Sequence, residues 1–134
     1  MGEEMGENIV RNKSYAFAVR VVRLHKHLTA RNKEYVLSRQ ILRSGTSVGA
    51  NVEEDIGAQS KREFLAKISI AYNEARETIY WLRILKDTGY ITLSEFDSLH
   101  TDIDEITRLL AKIKLTTKDN LKLTSTSRSA SHQL

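Results

Sequence analysis

Apolar residues recur along this chain at the spacing of one helix face, four times over. Phe17, Val21, Leu24 and Leu28 stand at i, i+4, i+7 and i+11, with Tyr15, Ala18 and Val22 widening the stripe. This predicts a first helix over about Asn12 to Leu28, with Arg20, Arg23 and Lys26 on a basic flank. Residues 29–33 read as a polar link. A second helix, about Tyr35 to Ile56, carries a narrow seam of Leu37, Ile41, Gly45, Val48 and Val52, and Gly57 ends it. Ser60 and Glu63 spell a capping box that opens a third helix, whose inner face is Phe64, Ile68, Ala71, Ala75, Ile79 and Leu82. Ile70, Trp81 and Ile84 give that helix more apolar surface than one seam needs, and Gly89 closes it. Thr92 and Glu95 cap a fourth helix, in which Phe96, Leu99, Ile103, Ile106, Leu110 and Ile113 alternate at three and four residues.

Short links between four amphipathic helices favour an all-α, up-and-down antiparallel four-helix bundle spanning residues 12–114. Its expected core includes Phe17, Leu24, Ile41, Val48, Phe64, Ile68, Ile79, Ile103, Ile106 and Leu110. Residues 1–11 read as a flexible N-terminal segment and 115–134 as a disordered polar tail.

At 134 residues the chain is one domain, and the absence of cysteine and proline excludes disulfide scaffolds and removes the usual punctuation of β folds. The start is acidic rather than basic, and no run approaches a membrane span, so a soluble cytoplasmic protein is expected, with no membrane partner.

The net charge of +4 is unevenly spread. From Asn8 to Val52 there are nine Lys or Arg residues and one acid, Glu34, whereas acids return at Glu53, Glu54 and Asp55. The basic residues Arg11, Lys13, Arg20, Arg23, Lys26, Arg31 and Lys33 are candidate RNA or DNA contacts. Equally, the two halves can complement one another across helices or subunits.

Small residues at Ser44, Gly45, Ser47, Gly49 and Ala50 suit a helix where another backbone comes close, because each glycine costs a helix interior about 1 kcal/mol relative to alanine. A polar stripe of Arg43, Ser47, Asn51 and Glu54 runs beside the seam and can reach Glu74 or Glu77 on the third helix. It reads as a structural network at a helix or subunit contact, with a small-ligand or metal pocket as the less favoured alternative.

Catalytic signatures are missing. Ferritin-like metal sites need two Glu-x-x-His steps, and here only Asp97-x-x-His100 approximates one. His25 and His27 lie two apart and point in different directions, while His132 sits in the tail. Gly45-x-x-x-Gly49 lacks the ending of a phosphate loop. No enzyme activity, metal, cofactor or small-molecule substrate is expected.

Arg43-Ser44, Ser47-Val48, Asn51 and Glu53-Glu54, followed by Ser60, Glu63-Phe64, Ala71 and Glu74-x-x-Glu77, resemble the four-helix-bundle family encoded in intervening sequences of bacterial 23S ribosomal RNA genes. The resemblance covers about Asn8 to Lys114. It implies a left-handed up-and-down bundle assembling as a ring-like homopentamer, without a defined activity. A similar bundle is the accessory protein of diversity-generating retroelements, where it contacts nucleic acid and the reverse transcriptase; this chain resembles the broader family more than that branch. Two functions therefore stand side by side: a self-assembling interaction or scaffold module, and a nucleic-acid-binding accessory factor.

Overall fold

The computed structural model describes the backbone of residues 2–133 and the side chains of residues 5–123. Among the described residues there are four helices and no strand: α1 (Gly2–Arg31), α2 (Leu37–Asp55), α3 (Lys61–Asp87) and α4 (Leu93–Gln133). Each helix packs on two neighbours, α1 on α2 and α4, and α3 on α2 and α4, leaving α1 opposite α3 across the core. Contacts fix the directions. Arg11 near the start of α1 meets Glu53 near the end of α2, Ser44 meets Thr78, and Arg20 meets Asp102. Consecutive helices are therefore antiparallel, and the chain forms an up-and-down four-helix bundle.

The seams read from the sequence meet in one core. Phe17, Val21, Leu28, Ile41, Val48, Ile68, Leu82, Ile103, Ile106 and Leu110 are almost wholly buried. Val10, Leu85 and Ile91 join them. Phe64 and Ile79, expected inside, are only partly buried and pack on the core from its edge. Ala71, Ala75 and Thr78 take the centre of the α3 face instead, because small side chains there let α2 approach. Tyr15 and Val22 do not widen the α1 stripe; both point outward.

Small residues in α2 do what their size suggests. A Cβ on Gly45 would lie 2.7 Å from Cγ2 of Val21, and one on Gly49 would lie 3.2 Å from the Ser14 carbonyl oxygen. The α1 and α2 backbones can be this close only because both positions lack side chains.

Helix boundaries follow local chemistry. Lys33 takes a left-handed conformation (φ 55°), and the Glu34 amide returns to the Leu28 carbonyl, which ends α1 at Arg31 rather than at Leu28. The Glu34 carboxylate then accepts hydrogen bonds from the amides of Val36, Leu37 and Ser38, starting α2 at Leu37 rather than Tyr35. Burial pushes the Glu34 carboxyl up, but those backbone hydrogen bonds outweigh it and hold it below the usual range. α2 ends at Asp55, with Ile56 and Gly57 in a tight turn. At α3 the Ser60 hydroxyl accepts from the Glu63 amide, and at α4 Thr92 and Glu95 cap each other reciprocally. Gly89, at φ 83°, closes α3 in a conformation that favours glycine.

The largest departure from the sequence reading is helix length. Residues 1–11 were expected to be flexible and 115–134 disordered, but α1 starts at Gly2 and α4 runs to Gln133. Val10 and Thr117 are buried, so α1 and α4 extend the bundle at least to those residues, beyond the α2–α3 turn. That turn, with Met5 and Ile9 from α1 and Leu109 and Ile113 from α4, bounds a cleft of about 830 Å³. His132 lies outside the described side chains.

Candidate functional site

Basic residues of α1 fall into two groups along the helix. From Arg11 to Arg20, α1 is flanked by acidic side chains of both neighbours. Arg11 donates to Glu53 at 2.8 Å, Lys13 pairs with Glu105 at 3.0 Å, and Arg20 donates to Asp102 at 2.6 Å and to the hydroxyl and carbonyl of Ser98. The complementary halves of the sequence therefore meet within one bundle at these three positions. Each pair is substantially exposed, where such bridges contribute about 0–1 kcal/mol.

The second group differs. Arg23, Lys26, Arg31 and Lys33 are exposed, and none forms an ion pair among the described residues. They gather toward the α1–α2 turn, near exposed His27 and Arg39. His25 is tied down there, with Nδ1 3.3 Å from the Ser38 carbonyl oxygen. His100 lies elsewhere, stacked on Phe96 with ring centroids 5.1 Å apart.

The polar stripe of α2 forms three separate contacts rather than the one network expected. Arg43 donates to both Glu74 and Glu77 on α3, as its spacing implied. Burial, together with the nearby Glu77, pushes the Glu74 carboxyl up despite the pull of Arg43. Asn51 turns inward on its own helix and donates to the Ser47 carbonyl and hydroxyl. Glu54 reaches Lys67 on α3. Arg43 lies eight residues from Asn51, about 12 Å along the helix axis, too far for Asn51 to bridge it to Glu54.

Two features escaped the sequence reading. Ser44 and Thr78, both fully buried, share a hydrogen bond of 3.0 Å across the α2–α3 contact. Ser44 stood in the small-residue run, so close packing was legible but its partner was not. Asp55, read in the sequence only as part of an acidic run, is buried at the end of α2, and neither carboxylate oxygen has a hydrogen-bond partner. The seam spacing Ile41, Val48, Asp55 places it on the inner face, whereas Glu53 and Glu54 beside it are exposed.

Among the described residues no three His, Cys, Asp or Glu side chains are grouped to hold a metal ion. No described helix is long and apolar enough to cross a membrane.

Comparison with known proteins places this geometry. None of the curated proteins compared with the chain matches it. A crystal structure of a protein of unknown function from the S23 ribosomal protein family of Bacteroides thetaiotaomicron is 50% identical and covers 81% of this chain and 97% of its own, with a TM-score of 0.80. The family model of the 23S rRNA-intervening sequence protein matches residues 6–112, from the first turns of α1 to the middle of α4. With that match spanning most of its length, the chain belongs to the 23S rRNA-intervening sequence protein family.

Proposed function

We propose that this chain is a non-enzymatic, self-assembling bundle that serves in the cytoplasm as a macromolecular interaction or scaffold module. In this reading left-handed bundles associate as a ring of five. The observation that carries assembly is the outer side of α3. Ile70, Trp81 and Ile84 stand at i, i+11 and i+14, which a helix brings onto one side. Ile70 is 44% exposed, and Trp81 and Ile84 are partly open. An apolar row on a helix that has already filled its share of the core suits contact with another copy. The number five follows the family resemblance and not this row.

Light scattering on the intact chain tests the reading. A mass five times the 15.3 kDa chain is expected, and Ile70→Glu should dissociate it while circular dichroism stays helical. A monomer at micromolar concentration would overturn assembly and scaffold together.

A second reading, a nucleic-acid-binding accessory factor, is favoured by the unpaired group Arg23, Lys26, Arg31 and Lys33. Arg11, Lys13 and Arg20 contribute less to it, because Glu53, Glu105 and Asp102 already neutralise them. Affinity for mixed RNA and DNA over a salt series separates the two readings. Binding through four phosphate contacts would fall with a log–log slope of about −3 to −4. A slope near zero, or no binding at low salt, would remove this reading.

A further inference from the structure

The cleft beyond the α2–α3 turn combines an apolar patch with polar walls that include Gln59, Thr116 and Thr117, and has an acid at its base. Met5 and Ile9 come from α1, Phe64 from α3, and Leu109 and Ile113 from α4. Asp55 is 6% exposed, and both of its oxygens are shielded from solvent without a hydrogen-bond partner. An acid buried this far is rarely left unpaired.

Surrounding charges do not answer it. Glu7 on α1 and Glu54 on α2 share its sign, and Lys67 on α3 is held by Glu54. Lys61 of α3 and Lys112 of α4 line the cleft, yet neither pairs with Asp55. Among the described residues the site therefore lacks one positive group with hydrogens to donate. A metal ion is not favoured, because no three His, Cys, Asp or Glu side chains among the described residues are grouped to hold one. An anion would meet Asp55 and Glu7. The cleft's size, about 830 Å³, falls within the range of small-molecule pockets and is too small for a folded partner.

We propose that this cleft binds a small organic amine, its apolar body against Ile9, Phe64 and Ile113 and its ammonium group paired with Asp55. The ammonium reaches the carboxylate after a turn of the Asp55 side chain toward the cleft. Shielding from water makes the resulting ion pair stronger than its counterparts on the surface. Burial and the neighbouring Glu7 push the Asp55 carboxyl up to about 7, so the ammonium competes there with a proton. Glu7, Glu54, Lys61, Lys67 and Lys112 are the other charged groups that face the site among the described residues.

The test uses the full chain, with calorimetric titration of 2-phenylethylamine and its neutral counterpart 2-phenylethanol. At pH 8 the amine should bind at least about tenfold more tightly than the alcohol, as one buried charge pair implies. That preference should shrink by nearly tenfold for each pH unit below about 7, as Asp55 takes up its proton. Asp55→Asn should erase the preference, and Ala58→Trp, which fills the cleft and leaves Asp55 in place, should abolish binding of both compounds. Amide shifts on adding the amine should centre on Ile9, Ala58, Phe64 and Thr117. The proposal fails if the amine does not bind at millimolar concentration, or if the alcohol binds equally well. It also fails if the preference survives Asp55→Asn, if Ala58→Trp still binds, or if the shifts centre elsewhere.

Discussion

Replacing Asp55 with asparagine should stabilise the protein at alkaline pH, and by an amount that changes with pH. Asp55 is held with its carboxyl pushed up from 3.8 to about 7, chiefly by burial and then by Glu7. A raised acid favours the folded state fully only below the unfolded value near 3.8, and that advantage is lost as pH rises through about 7. Above both values the native state contains a buried charge that the unfolded chain solvates freely. A shift of about three units, at 1.36 kcal/mol per unit, puts the whole cost near 4 kcal/mol. At pH 5 the unfolded carboxyl is already mostly ionised while the folded one is neutral, so about 1.5–2 kcal/mol of that cost is present. Asparagine keeps the shape and never ionises. The variant should thus gain about 2–3 kcal/mol more over wild type at pH 8 than at pH 5. Urea unfolding of both proteins at the two pH values measures this, and titrations elsewhere cancel in the difference. A stability gap that does not change with pH, or a variant weaker than wild type at pH 8, would refute the reasoning.

Ile106→Ala, at a residue 1% exposed, should cost about 2–5 kcal/mol in chemical denaturation; a cost under about 1 would mean that the core relaxes around the cavity. Gly45→Ala places a methyl 2.7 Å from Val21, and overpacking of about 1–3 kcal/mol should exceed the helix-propensity gain of about 1. Gly6→Ala, inside α1, meets nothing within 4 Å and should instead raise the melting temperature. Glu34→Gln should weaken the start of α2 by about 1 kcal/mol at pH 7. Because the Glu34 carboxyl is held below 4.5, its contribution is present above that value and should fade as pH drops below it. A loss of equal size at pH 3 and pH 7 would count against the carboxylate as the cap.

Seams with three- and four-residue spacing were enough to specify four helices, because burying such a stripe demands a partner along the whole helix. The capping boxes at Ser60 and Thr92 placed two helix starts, since their hydrogen bonds close within four residues of chain. The approach of α1 to α2 was legible in Gly45 and Gly49 as small size, though only the packed structure names Val21 and Ser14 as the opposing groups. Arg43 was correctly aimed at Glu74 and Glu77 because charge and helical spacing both pointed there. Its joining to Asn51 and Glu54 was not decided by the stripe, since Ser47 offers Asn51 a nearer acceptor.

What tertiary structure alone decided lies mostly at the ends and in the choice of partners. That α1 and α4 carry the bundle out to Val10 and Thr117 depends on neighbouring helices burying those side chains, which spacing alone does not guarantee. Which lysines and arginines of α1 stay unpaired depends on where Glu53, Asp102 and Glu105 arrive from distant helices. Asp55 shows the difference most sharply. In sequence it is the third acid of a run, but in the fold it is the residue that α1 and α4 cover by running past the α2–α3 turn. Helical periodicity is a local property of the chain, whereas burial of a single charge depends on which surfaces meet.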